Sequence, residues 1–346
     1  MSDLVPHNRA LRRKGRLRWF HSEPKIISFV PGQGAELSLV DGRRGRATCV
    51  GCHDSPCMEL TEAQLDIGNT LSTFPGDPSR DVCPTGAIEW DAMAAVPTIN
   101  AQDCIGCGLC ALRCPYGAIQ LTVDGVALVE GNDPDRITTA VTDQPSTNHV
   151  MTPRTGTLGN RAMLFVSKLP NIIAQMIDIQ VARLARNMLV ACGMAASMRR
   201  KGDTNIRMDG LVRLAPDQIG VIELEIGNAV LENPRALLEN MAVLYGRFDV
   251  PKRNILLLSV LAELPNHRTE YYRVIEDIAK VLNVHCQTLT LGAICMIMWR
   301  FVSLKGLNRD LFVLTKDNED LSPSLMQLIP DLSMKEPYPG AYRPSK

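Results

Sequence analysis

Between residues 172 and 198, in "NIIAQMIDIQVARLARNMLVACGMAASMRR", apolar side chains return every three or four positions. This spacing predicts one long amphipathic helix. The period then changes to two. "RMDGLVRL" and "IGVIELEIG" alternate as strands do, around the turn "APDQ". Next comes a predicted helix over "NPRALLENMAVLYGRF", with Asn233 as N-cap and Pro234 at the first helical position. Strand "NILLLSV", helix "RTEYYRVIEDIAKVL", strand "VHCQTLT" and helix "LGAICMIMWRF" follow. The order α-β-β-α-β-α-β-α predicts an α/β domain around a central mixed sheet.

The text ahead of this domain lacks such periodicity. From about 127 to 160 it is rich in Asp, Thr, Pro and Gly, which favour turns, and reads as a linker. The chain therefore divides into a basic N-terminal arm (1–48), a cysteine-rich domain (49–126), a linker (127–165), the α/β domain (166–305) and a tail (306–346) that wraps the surface. A length of 346 residues suits two domains with connections.

Apolar content of 45% and charged content of 21% are ordinary for a globular protein, and the formal net charge is zero. Charge is unevenly placed, however. Residues 1–48 hold ten Lys and Arg against four acids, and six of those cations fall between Arg9 and Arg18. Such a run suits a phosphate backbone or an acidic partner, and equally a solvated arm. No apolar segment follows the basic start as a secretory signal would require. The longest apolar runs reach about half a membrane span. A cytoplasmic protein without a membrane partner is expected.

Reduced thiols are the rule in that compartment, so eleven cysteines call for metal rather than disulfides. Eight lie between Cys49 and Cys114; Cys192, Cys286 and Cys295 sit in apolar text as small core residues. "CIGCGLCALRCP" spaces Cys104, Cys107, Cys110 and Cys114 as C-x2-C-x2-C-x3-C-P. Cys49, Cys52, Cys57 and Cys83 follow a looser C-x2-C-x4-C-x25-C-P, and "CPTGAIEW" is echoed by "CPYGAIQL". Residues 49 to about 122 thus resemble the bacterial two-cluster ferredoxins. The resemblance implies two [4Fe–4S] clusters with crossed ligation: one on Cys49, Cys52, Cys57 and Cys114, the other on Cys83, Cys104, Cys107 and Cys110. The widened x4 gap and a 23-residue insertion before Cys83 depart from the family. "CVGCH" also matches a haem attachment pattern, which would strand Cys57 and Cys83, and zinc does not use this spacing.

In "GVIELEIGN" the strand period puts Glu223 and Glu225 on one face, about 7 Å apart, where like charges repel unless a cation intervenes. With Asp209 in the preceding strand, D-x13-E-x-E resembles the PD-(D/E)xK restriction-endonuclease-like superfamily. That resemblance implies Asp209 and Glu223 as Mg²⁺ ligands and Glu225 in the position usually held by Lys, three catalytic residues in all. It carries a geometric condition. A four-residue turn at 215–218 would face Asp209 away from both glutamates, so a bulge or another turn length is required. The plain alternative is an exposed strand face with solvated glutamates.

The fold class expected is α+β: a 2×[4Fe–4S] ferredoxin-like domain followed by a restriction-endonuclease-like α/β domain. The leading functional expectation is Mg²⁺-dependent phosphodiester hydrolysis on DNA. The first alternative is a ferredoxin-type electron carrier with a redox partner protein and a non-catalytic scaffold. The second is a DNA-binding or assembly subunit without catalysis.

Overall fold

A computed structural model of the chain describes residues 55–68, 71, 73–91, 96–113, 119–121, 127–129, 165–203, 206–227, 230–300, 302–330, 332 and 338–342. The basic arm, Cys49, Cys52 and Cys114, and nearly all of the expected linker lie outside these residues. The chain separates into two compact units: residues 1–60 with 80–161, and residues 61–79 with 162–346.

In the first unit, β1 (Ile88–Asp91) pairs antiparallel with β2 (Val96–Ile99). A single helical turn, α1 (Leu109–Leu112), precedes β3 (Ile119–Leu121), which pairs antiparallel with β4 (Ala127–Val129). Buried Leu109, Leu112 and Ile119 give the unit a small apolar centre.

The second unit is built on one five-stranded sheet, with α2 (Asp178–Ala191) leading into it. β5 (Ala195–Met198), β6 (Gly210–Ala215) and β7 (Gln218–Glu225) form an antiparallel meander. α3 (Glu232–Phe248) then crosses to β8 (Ile255–Leu261), and α4 (Tyr271–Leu282) crosses to β9 (Cys286–Thr290). β7, β8 and β9 are parallel, so the sheet is mixed and its order follows the chain. α5 (Leu291–Trp299) packs on α2, and α3 packs on α4. Every residue of β8, β9 and α5 is buried. A helix apolar on all sides has to be enclosed, and α5 is. Among the described residues, no helix is long and apolar enough to cross a membrane.

The structure corrects four expectations. The helix expected over 172–198 is interrupted: residues 165–173 are helical, α2 begins at Asp178, and 195–198 is an edge strand. Gly193, at φ 91°, ends α2: its N–H reaches Val190 O, and the Met194 N–H reaches back to Leu189 O at 3.2 Å. This closes the helix C-terminus and releases the chain in extended form. Asn233 is not the N-cap of α3, which starts at Glu232 with Leu231 before it. Its amide donates instead to the Glu223 carbonyl at 3.1 Å, tying the helix start to β7. The tail does more than wrap the surface. It contains α6 (Ser322–Leu328), buries Leu311, Phe312, Leu314 and Leu321, and accepts a hydrogen bond from Thr288 N–H at Phe312 O, 2.8 Å.

Finally, residues 61–79, expected inside the ferredoxin-like domain, belong to the second unit. Gly76 bridges Arg199, Asp77 N–H donates to Met198 O at 2.7 Å, and Arg200 N–H donates to Pro75 O at 2.8 Å, extending the β5 edge. The Asp77 carboxylate meets Arg183 Nε at 2.8 Å and the fully buried Arg186 Nη1 at 3.8 Å. Burial works to raise its pKa, but the Arg183 hydrogen bond and both guanidiniums hold it below the usual carboxylate range.

Removing one member of a buried charge cluster leaves the others uncompensated. Asp77→Ala is expected to cost about 3 kcal/mol, read as a lowered thermal-unfolding midpoint, with Asp77→Asn intermediate. A midpoint equal to the native one would show that Arg186 finds its compensation elsewhere.

Candidate functional site

The cysteine loops are shaped by glycines. Gly106 and Gly108 have φ of 74° and 76°, a left-handed backbone that residues with a Cβ seldom adopt. Gly108 opens α1, and the Leu109 N–H turns toward the Cys107 sulfur. On the other side, Cys83 Sγ accepts from the Ala87 N–H at 3.2 Å and lies 3.4 Å from Thr85 Oγ1. Thr85 in turn donates to Asp103 O at 2.8 Å, which anchors the Cys83 loop beside Cys104.

As a result, Cys83, Cys104, Cys107 and Cys110 act on one another electrostatically. Burial first, then the neighbouring sulfurs, pushes the Cys107 and Cys110 thiols well above their ordinary value. The Cys107 and Cys110 sulfurs resist ionisation until a cation binds them, while backbone amides at Cys107 donate toward the charged form. That donor set fits an iron-sulfur cluster. Among the described residues, no three His, Cys, Asp or Glu side chains are placed to share a single ion. A cubane asks for something different, because each thiolate binds its own iron and the sulfurs stand farther apart.

Of the ligands implied for the other cluster, only Cys57 is among the described residues. It is buried beside Arg113, whose Nε donates to Pro56 O at 2.7 Å and whose Nη2 donates to Glu59 O at 3.3 Å. Burial pulls the Arg113 pKa down and Cys57 offsets part of that, leaving it at about 10, so the guanidinium stays charged at neutral pH. Arg113 occupies the x3 gap of the motif, where the spacing rule says nothing about residue type. Cys192, Cys286 and Cys295 are buried in the second unit, and the Cys192 thiol approaches Ile294 O at 3.9 Å.

The carboxylates lie at the β6–β7 hairpin. Ala215 pairs with Gln218 across a two-residue turn, and a bulge between Arg213 and Ala215 shifts the register so that Gly210 pairs with Ile222. One residue further along, Asp209 therefore stands across from Glu223. Glu223 is 8% exposed, and burial, followed by the Asp209 charge, pushes its pKa to about 8. Its Oε1 accepts from Asn240 Nδ2 on α3. Asp209 receives Arg199 Nη2 at 3.3 Å and the Leu224 N–H at 3.1 Å. Glu225 turns to the Gly227 N–H at 2.6 Å. The three side chains do not gather around one point. Asp209 and Glu225, with Asp178 of α2, border a cavity of about 540 Å³ rimmed by Arg199, Arg200 and Lys201, and Glu223 is not in its lining. As placed, these residues do not fit a three-carboxylate magnesium site. The cation that meets the acidic pair is Arg199, a residue the strand pattern gave no reason to select.

The fold holds the Glu223 proton more tightly than the unfolded chain does. Its contribution to stability is therefore fully present below the ordinary value of 4.5 and is lost as pH rises to about 8. In metal-free buffer, Glu223→Gln, which mimics the protonated acid, is expected to gain in unfolding midpoint over the native chain across that interval. Parallel midpoint-against-pH curves would show that Glu223 is ionised throughout.

Comparison with known proteins addresses the cysteine region. Residues 80–118 match the 4Fe-4S dicluster domain family. The chain is 40% identical over 78 residues to an uncharacterized ferredoxin of Methanocaldococcus jannaschii, covering 20% of this chain and 50% of that protein. It is 30% identical over 101 residues to Protein NrfC of Escherichia coli, covering 29% and 31%. It is 33% identical over 51 residues to the polyferredoxin-like subunit of the aliphatic sulfonate oxidoreductase of Pyrococcus furiosus, covering 15% and 30%. The chain thus spans half or less of the length of these curated relatives. No solved structure matches it. The chain carries a 4Fe-4S dicluster ferredoxin domain, joined to a mixed α/β unit.

Proposed function

We propose that this protein is a ferredoxin-type electron carrier that serves a redox partner protein, with the α/β unit as a docking scaffold. What supports this reading is that Cys83, Cys104, Cys107 and Cys110 act on one another electrostatically, with backbone amides donating at Cys83 and Cys107. A [4Fe–4S] cluster, when bound, accepts and returns one electron. The protein's share is to supply thiolates, aim N–H groups at the sulfurs and exclude water, and these are the factors that set a cluster's potential. The ferredoxin and the oxidoreductase subunit among its relatives support the same reading.

A second reading, Mg²⁺-dependent phosphodiester cleavage, draws on one observation: the bulge that sets Asp209 across from Glu223 beside a basic-rimmed cavity. Against it stand the commitment of Asp209 to Arg199 and the divergence of Glu225.

For the carrier, anaerobically purified protein should give a low-potential EPR signal on reduction, and the signal should vanish on reoxidation. Cys107→Ala should lose the iron and signal of one cluster and keep the other. Native protein with full iron content that cannot be cycled would end this reading. For cleavage, Asp209→Ala and Glu223→Ala should each abolish Mg²⁺-dependent nicking of plasmid DNA at unchanged iron content. Equal nicking by both variants would eliminate the hydrolase.

A further inference from the structure

Thr85 stands between the two loops that carry the ligands of one cluster. The turn Cys83–Gly86, in which Gly86 N–H donates to Cys83 O at 3.4 Å, brings the Thr85 side chain back to the Cys83 sulfur. Thr85 Oγ1 meets two atoms there, Asp103 O at 2.8 Å and Cys83 Sγ at 3.4 Å. Both partners are held in place. Cys83 Sγ also accepts from Ala87 N–H at 3.2 Å, and Ala87 O accepts from Asn100 N–H at 2.8 Å. Asn100 O in turn accepts from Cys104 N–H at 3.1 Å. These bonds run as a ring from Cys83 to Cys104, and the Thr85 hydroxyl closes it.

A hydroxyl has one proton and two lone pairs. While Cys83 is a thiol, its S–H donates to Thr85 Oγ1, and the hydroxyl proton goes to Asp103 O. As an iron ligand the sulfur has no proton and can only accept. The hydroxyl is then a donor facing two acceptors, and rotation about its C–O bond selects between them. The internal repeat isolates this feature: "CPTGAI" is matched by "CPYGAI", with Tyr116 at the position of Thr85. A hydroxyl on Cβ beside the ligating cysteine therefore belongs to one of the two repeats.

We infer that Thr85 is a redox-tuning residue: its hydroxyl turns from the Asp103 carbonyl to the Cys83 sulfur when the cluster on Cys83, Cys104, Cys107 and Cys110 takes an electron, and so raises that cluster's reduction potential. This rests on the electron-carrier reading. The physical reason is that an added electron puts more negative charge on the ligating sulfurs. A hydrogen bond to a sulfur strengthens with that charge, so a donor stabilises the reduced form more than the oxidised one. Turning gives up the bond to Asp103 O, which keeps the gain modest, while the Ala87 and Asn100 bonds continue to tie the loops. One electron arrives from a low-potential donor protein and leaves to an acceptor protein. The Thr85 O–H bond stays intact throughout, and no proton is transferred.

The test is an EPR-monitored potentiometric titration of the full chain, anaerobically reconstituted, with iron and sulfide measured on every sample. The signal missing from Cys107→Ala marks the cluster in question. Thr85→Val, which keeps the shape and removes the hydroxyl, should move that signal to lower potential by about fivefold in the one-electron equilibrium, roughly 40 mV, and leave the other in place. Thr85→Ser, which keeps the hydroxyl, should stay within twofold of native. Pulsed ENDOR after exchange into deuterium oxide separates tuning from a looser fold. Reduced native and Ser proteins should show a deuteron coupling that the Val protein lacks. A Val protein with full iron content and an unmoved signal overturns the inference, as do identical deuteron spectra or movement of the other signal alone. Should the Val variant lose iron, the Ser variant decides: a signal more than twofold from native at full iron content overturns the inference. Native protein without a reducible signal fails the carrier reading itself, an outcome separate from any effect of Thr85.

Discussion

Thiolates do not stand together in a half-buried cluster without cost. Burial, and then the neighbouring sulfurs, raises the Cys107 and Cys110 thiols above their ordinary value. Cys83, Cys104, Cys107 and Cys110 are nevertheless brought together by glycine-turned loops and by the Thr85–Asp103 anchor. A bound group of high positive charge makes the ionised form of this cluster favourable. Once the thiolates are bound, the amides aimed at the sulfurs become assets. A first unit with short strands and a small apolar centre draws much of its cohesion from that bond, since small domains commonly depend on a metal.

The second unit faces a like-charge problem of its own and solves it differently. Its acidic pair is accommodated by placing Arg199 against Asp209, by the Leu224 N–H and Asn240 amide, and by leaving Glu223 protonated up to about pH 8. Bulge, buried acid and polar helix residue support one another. The same set of contacts explains why Glu223 is buried rather than solvated beside Asp209.

What the sequence made legible follows from the range of the forces involved. β8 and α5 are written as apolar runs, and burial on every side needs no knowledge of register. The cysteine spacing is equally local. What escaped depended on single atoms or on distant pairing. Gly193 ends a helix that the apolar period would have carried on through Met198. Asn233 had the ordinary credentials of a cap, yet its amide serves a carbonyl ten residues earlier in the chain. The insertion before Cys83 reads as a loop of the cysteine domain, whereas Asp77 finds its partners more than a hundred residues away, at Arg183 and Arg186. For Asp209 the sequence stated the condition, a bulge or a different turn, but whether the backbone met it depended on packing throughout the sheet.

The account rests on iron held as cubanes by these cysteines. Mössbauer spectroscopy of anaerobically prepared, isotopically enriched protein reads this directly, because cluster type and electron delocalisation both appear in the spectrum. Spectra of delocalised [4Fe–4S] centres that change oxidation level on reduction are the predicted result. Spectra of isolated ferric or ferrous ions, or iron-free protein with zinc bound to the same thiols, would contradict it.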